Sequence, residues 1–165
     1  MHAEAFAYIN AVLPANVTSI LEFGSRNVNG SVRDLVPTIG RYVGVDIEPG
    51  PGADIVADAA SVDVPGELFE VVVCAEVFEH ADDTECQAMC SNAYRHLGDG
   101  GLFIATMAGP GRAEHSAVDG GPLRPGEFYR NVTKPQLARW LNHSRFRNVH
   151  VDVYGPDVRC TAIRL

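Results

Sequence analysis

Leu21-Glu22-Phe23-Gly24-Ser25-Arg26-Asn27-Val28-Asn29-Gly30 joins an apolar run to a polar turn, and the reading of this join decides the fold. Val17 to Phe23 has the character of a strand, and after Gly30 the hydroxyl of Ser31 can cap a short helix through Leu35 and Val36. Gly24 removes the side chain that would keep a ligand from the backbone. Asn27 and Asn29 tolerate left-handed angles and can stand in for glycines. Taken alone, strand, turn and helix fit a plain tight connection as well as a binding loop.

Reading outward, Ala3, Phe6, Ile9 and Leu13 recur at helical spacing before Pro14, which predicts an N-terminal helix laid on a sheet. Tyr42 to Val45 and Ala53 to Ala57 are strand-like runs ending at Asp46 and Asp58. From Ala59 to Leu68 there is little periodicity, and Pro65 and Gly66 interrupt it, so the crossover helix there is expected to be short or absent. Phe69 to Cys74 is nearly all apolar, the pattern of a strand buried on both faces in mid-sheet. A helix carrying Cys86 ends near His96 and Leu97, Asp99-Gly100-Gly101 turns the chain, and Leu102 to Thr106 is the next strand. Thr133-Lys134-Pro135-Gln136 reads as a capping box opening a helix whose Leu137, Trp140 and Leu141 share one face. Gly155-Pro156-Asp157 separates the strands Val149 to Tyr154 and Val158 to Leu165, a connection short enough only for an antiparallel hairpin. Alternating strands and crossovers closed by a hairpin predict a doubly wound α/β sheet with one reversed strand.

A chain of 165 residues, 46% hydrophobic, suits one domain spanning 1–165. No run approaches the ~20 apolar residues of a membrane span, and Glu4 stands where a signal peptide would be positive. A soluble, cytoplasmic protein without a membrane partner is expected. The net charge of −8 argues against a broad phosphate-binding face, so nucleic acid is a poor first guess for a partner. Cys74, Cys86, Cys90 and Cys160 form no CxxC pair and read as free thiols in a reducing compartment. Cys86 and Cys90 share an apolar stripe with Met89, Ala93 and Leu97, which favours core packing over metal binding. No metal is expected.

Glu22, Asp46, Asp58 and Glu76 fall at or just past successive strand ends on one edge of the sheet, where ligands of such folds sit. A carboxylate in the position of Asp46 can accept both hydroxyls of a ribose. One such acid is easily a solvated surface group; four at equivalent positions point to a lined crevice.

With these residues assembled, the chain resembles the class I S-adenosylmethionine-dependent methyltransferases, in the type 11-like branch whose fourth strand runs into Glu-x-x-Glu-His. The matching segments are Leu21-Glu22-Phe23-Gly24, Gly44-Val45-Asp46, Ala57-Asp58-Ala59, Val73 through His80, and Leu97-Gly98-Asp99-Gly100-Gly101. The resemblance implies a mostly parallel seven-stranded sheet in the order 3-2-1-4-5-7-6 with the last strand antiparallel. It also implies a cofactor site. Phe23, Gly24, Ser25, Arg26, Asn27 and Gly30 would line the methionine portion, Asp46 with Ile47 the ribose, and Asp58 with Ala59 the adenine. Glu22 would order the loop, and Ala75 and Glu76 would border the methionyl end. The family's commonest glycine pattern is broken at Arg26 and Val28, and Arg26 is free either to pair with the cofactor carboxylate or to point to solvent.

Methyl transfer from a sulfonium chiefly requires alignment. His80 is the best-placed base for an acceptor that must lose a proton, its other reading being a capping or supporting histidine. Phe78 would face the acceptor. Met107 to Asn131 spans 25 residues with five glycines and three prolines, long for a connection, and reads as a lid carrying His115, Tyr129 and Arg130 to a small-molecule acceptor, or else as a surface loop. Two competitors stand beside the transferase. A non-catalytic S-adenosylmethionine-binding module needs the same pocket, and an NAD-dependent oxidoreductase shares the glycine turn but wants a fuller glycine fingerprint.

Overall fold

In the computed structural model, which describes residues 2–165, apolar runs become strands and polar-faced periodic runs become helices. The strands are β1 (Ser19–Phe23), β2 (Arg41–Asp46), β3 (Ile55–Val56), β4 (Phe69–Ala75), β5 (Leu97–Ala108), β6 (Arg147–Tyr154) and β7 (Asp157–Ile163); the helices are α1 (Ala3–Val12), α2 (Asp83–His96) and α3 (Lys134–His143). One seven-stranded sheet runs β3-β2-β1-β4-β5-β7-β6. β7 alone is reversed, pairing antiparallel with β5 and with β6. The expected order and the expected reversed strand are both found.

β4 is apolar throughout except for Glu70, which turns out to accept the amide and hydroxyl of Thr18. On one face of the sheet Ile9 of α1 packs with Ile20, Val71, Val73 and Ile104; on the other, α2 and α3 bring Cys86, Cys90, Leu137 and Trp140 against Leu21, Phe23, Val72 and Phe103. Cys86 and Cys90 are core thiols, as their spacing suggested. Both helices on that side start from capping boxes, Asp82 with Glu85 for α2 and Thr133 with Gln136 for α3. Such caps satisfy amides that the helix itself leaves unpaired. No helix is long and apolar enough to cross a membrane among the described residues.

Two boundaries differ from expectation. β3 is two residues long because Asp54 captures the Gly44 amide with its side chain, at 2.7 Å, in place of a longer ladder. The Asp99-Gly100-Gly101 turn is absorbed into β5 as an irregularity between the Leu97 and Leu102 pairings, with Gly100 at φ 77°. The absent helix between β3 and β4 has a physical account. Asn92 of α2 donates to the carbonyls of Ala59 and Val62, and His96 accepts the Val64 amide, so buried polar side chains satisfy this stretch instead of a helix.

Register places the site. Phe23 lies beside Val45 and Cys74, Asp46 beside Val56, and Ala75 beside Thr106, so β1 to β5 end together at one edge.

Candidate functional site

Beyond those strand ends lies a cavity of about 780 Å³, with Gly24, Arg26, Asp46, Ile47, Asp58, Ala59, Ala75, Glu76, His80 and His115 among its lining residues. The volume falls in the range of small-molecule sites. The turn after β1 is knit to β2, with the Gly24 and Ser25 amides both donating to the Val45 carbonyl. Gly24 adopts φ 74°, and a Cβ there would run into the Val77 side chain. Asn27 and Asn29 do not take the left-handed angles anticipated for them; Gly30 does, at φ 111°, and Asn27 instead accepts the Gly30 amide at 3.0 Å. Asx geometry, not left-handed asparagine, closes the turn.

Asp46 sits at the centre of this edge. Its two oxygens accept the amides of Arg26, at 2.9 Å, and Glu48, at 3.0 Å, which fixes the carboxylate while leaving lone pairs toward the cavity. Ile47 is 70% exposed at the rim, an apolar surface without a protein partner. Asp58 accepts the Ala60 amide and is held by its own turn.

Several anticipated contact residues stand elsewhere. Phe23, Ser25, Asn27 and Gly30 shape the turn without lining the cavity. Glu22 is buried, accepting the Tyr42 hydroxyl at 2.5 Å and the Val32 amide, so it orders the turn from behind. Arg26 lines the cavity, and its guanidinium donates to the carbonyls of Ala117 and Val118, fastening the 107–131 segment there. Phe78 is fully buried against Trp140, and Arg130 pairs with Asp83 and the Cys86 thiol, so neither faces an acceptor. Tyr129 lies behind His80 and His115, edge-on to both rings.

Burial pushes the Glu22 carboxyl up to about 7, against the pull of the Tyr42 and Val32 donors. A raised acid holds its proton in the folded state where the unfolded chain has lost it, so stability falls as pH rises through the window up to about 7. Glu22→Gln keeps an acceptor for Tyr42 and removes the buried charge. It is expected to leave stability unchanged at pH 5 and to raise it at pH 8 by on the order of 1–3 kcal/mol. Urea midpoints at the two pH values check this; equal shifts at both would dismiss the buried charge as the cause.

Two residues given no individual role in the sequence reading, His2 and Arg112 of the 107–131 segment, enter the site. His2 and Arg112 both pair with Glu76, at 2.9 and 3.2 Å, and both reach Asp157 at the start of β7. Burial works against ionisation of Glu76, but the His2 hydrogen bond and the Arg112 charge outweigh it and hold the carboxyl below its usual range. Glu76 reaches this position through a left-handed backbone, φ 58°, unusual for a side-chain-bearing residue. The signal for His2 was weak, a lone residue ahead of a helix, and Arg112 was one arginine among several in a long connection.

Behind Glu76, Glu79 is fully buried, and burial together with the Glu76 charge pushes its carboxyl up to about 8. Burial and the neighbouring His115 push His80 down to about 4. His80 is therefore neutral at physiological pH, with its Nδ1 buried and unpartnered.

Residues 1–151 match a family model described as a methyltransferase domain. No curated protein matches the sequence. Among solved structures, the Haemonchus contortus phosphoethanolamine N-methyltransferase 2 in complex with S-adenosyl-L-methionine aligns at a TM-score of 0.72 and 15% identity, over 98% of this chain and 52% of that one. The chain thus spans about half the length of that enzyme. The Burkholderia thailandensis 1,6-didemethyltoxoflavin-N1-methyltransferase aligns at 0.71 and 17%, covering 98% and 76% of the two chains. An S-adenosylmethionine-dependent methyltransferase from Mesorhizobium loti aligns at 0.72 and 16%, covering 98% of each.

Proposed function

Since this chain belongs to the methyltransferase domain family, in its class I form, we propose that it moves a methyl group from S-adenosylmethionine to a small-molecule acceptor. The observation that carries this reading is the convergence of Asp46, Asp58 and Glu76, from three strand ends, on the cavity floored by Gly24. The donor set fits the cofactor. Glu76 keeps one buried oxygen without a partner, Ile47 offers a bare apolar surface for a purine, and the acidic lining suits a sulfonium and an ammonium.

Bound S-adenosylmethionine would supply a methyl carbon already attached to a good leaving group, so the chain's task is alignment. Asp46 would hold the ribose hydroxyls and Asp58 with Ala59 the adenine edge. Ala75 and Glu76 would border the methionyl end. Arg112, not Arg26, is the cation next to that end, because the Arg26 guanidinium is committed to the lid carbonyls. The 107–131 segment acts as the lid in this reading, with His115 its contribution to the acceptor pocket. A neutral His80 offers a lone pair there, though with its conjugate acid near 4 it is a weak base at physiological pH. The small-molecule acceptor agrees with the net charge of −8 and with the phosphoethanolamine and didemethyltoxoflavin enzymes that share the fold.

Calorimetry with S-adenosylmethionine, S-adenosylhomocysteine and NAD tests the assignment. Binding of the two sulfur nucleosides without NAD is expected, and the same complexes should slow tryptic cleavage after Arg112 in the lid. Preference for NAD would overturn the reading in favour of a dinucleotide enzyme. An acceptor screen that yields no methylated product despite tight cofactor binding would leave a binding module in its place.

A further inference from the structure

The geometry points to a binding site for a first-row divalent transition-metal ion formed by Glu79, His80 and His115. One ligand atom from each lies within 4.8 Å of the others. Nε2 of His115 stands 3.8 Å from Oε1 of Glu79, and the two imidazoles meet edge to face with centroids 5.1 Å apart. His80 and His115 line the cavity, so the positions an ion would keep open face the space where an acceptor enters.

An independent observation comes from the unmet polar atoms. Glu79 has no solvent exposure, and its Oε2 has no hydrogen-bond partner; Nδ1 of the adjacent His80 is buried and unpartnered too. Buried polar atoms without partners are costly, and the two orphaned atoms, on Glu79 and His80, converge with the His115 ring where one cation would satisfy them together. The remaining oxygen of Glu79 accepts the Ala108 amide at 3.2 Å, which aims the carboxyl. Tyr129 sets its ring edge-on to both histidines, which fixes their planes.

Donor chemistry selects the ion. Two imidazole nitrogens and one carboxylate oxygen suit manganese, iron, cobalt or zinc, whereas magnesium and calcium prefer oxygen alone. Ligands at about 2.0–2.2 Å from one ion lie no more than ~4.4 Å apart, so the observed cluster has to contract modestly. His115 stands on a segment without helix or strand, the part free to supply that movement. Neither Glu79-His80 as a bare dipeptide nor His115 in a long connection carries a metal-ligand spacing, which is why the sequence offered no such site.

The tag-free full chain, dialysed against chelator, should be titrated with Co²⁺ and followed by visible absorption and calorimetry. One equivalent is expected to bind with d–d bands, and equimolar Mg²⁺ should not displace it. His115→Ala and the isosteric Glu79→Gln should each weaken Co²⁺ at least about tenfold, while His143→Ala, on exposed α3 surface, should not. Circular dichroism of each variant must match the parent. Absence of the bands at millimolar Co²⁺, displacement by Mg²⁺, or undiminished affinity in a folded His115→Ala overturns the site. None of these outcomes depends on the transferase reading, which stands or falls on nucleoside binding.

Discussion

Asp46→Ala is expected to weaken S-adenosylmethionine binding by about a hundredfold or more while the chain stays folded. A charged acceptor is worth about 1.5–3 kcal/mol per hydrogen bond, and a ribose offers it two hydroxyls. Losing about 2.7 kcal/mol already corresponds to a hundredfold. The substitution also releases the Arg26 and Glu48 amides, whose hold on the carboxylate sets the path of the turn after β1. Asp46→Asn keeps one carbonyl oxygen but turns an amide donor toward one of those N–H groups, so an intermediate loss is expected. Asp58→Ala should cost less, about tenfold, because an adenine edge would offer it a single N–H donor where a ribose offers Asp46 two hydroxyls. Calorimetry gives all three values, with circular dichroism to establish folding. Parental affinity in Asp46→Ala would mean that the ribose is not held at the end of β2, and the assignment of this edge would fail.

The sheet was legible because its signals are local and periodic. Phe69 to Cys74 could only be a strand buried on both faces, and Gly155-Pro156-Asp157 could only close an antiparallel pair. Asp46, Asp58 and Glu76 were legible for the same reason, since each directly follows an apolar run. What the sequence concealed were contacts between distant segments. Arg26 reaches Ala117 and Val118 some ninety residues on, and His2 reaches Glu76 and Asp157 from the opposite end of the chain. Arg130 was misread because an arginine before a helix near the site looks like a substrate contact. Its partner, Asp83, lies on another helix, and no spacing reveals that. The two-residue β3 was overestimated since nothing in an apolar run shows that a neighbouring Asp54 will take the ladder's donor.

Charge at the site follows from the same long-range pairings. Glu76 and Glu79, three residues apart, have opposite fates: His2 and Arg112 keep Glu76 ionised, and burial beside that negative charge keeps Glu79 protonated. The left-handed backbone at Glu76 is what parts them, turning one carboxyl into the cavity while the other is packed beneath it. Strain of this kind persists only where surrounding contacts over-determine it. Here the two cations on Glu76 supply them.

The 107–131 segment and the turn carrying His80 share one anchor in the core, and its removal should have the largest effect on stability. Trp140 is nearly fully buried, its ring 5.8 Å from Phe78 in the turn before α2 and 5.2 Å from the Arg130 guanidinium at the end of the 107–131 segment. Trp140→Ala removes all of that contact from a site walled by helices and sheet, which cannot collapse fully around the void. Truncations of this size cost about 3–5 kcal/mol, which for a chain of this length lowers Tm by about 10 °C. Trp140→Phe, retaining a ring over Phe78, should lose much less. Because Arg130 still pairs with Asp83 without the indole beneath it, the 107–131 segment should remain attached but cleave faster with trypsin after Arg130. Thermal melts by circular dichroism, paired with the proteolysis rate, separate the two effects. A melt unchanged in Trp140→Ala would show that the packing between α3 and the His80 turn contributes little, and that the 107–131 segment is held by its polar contacts.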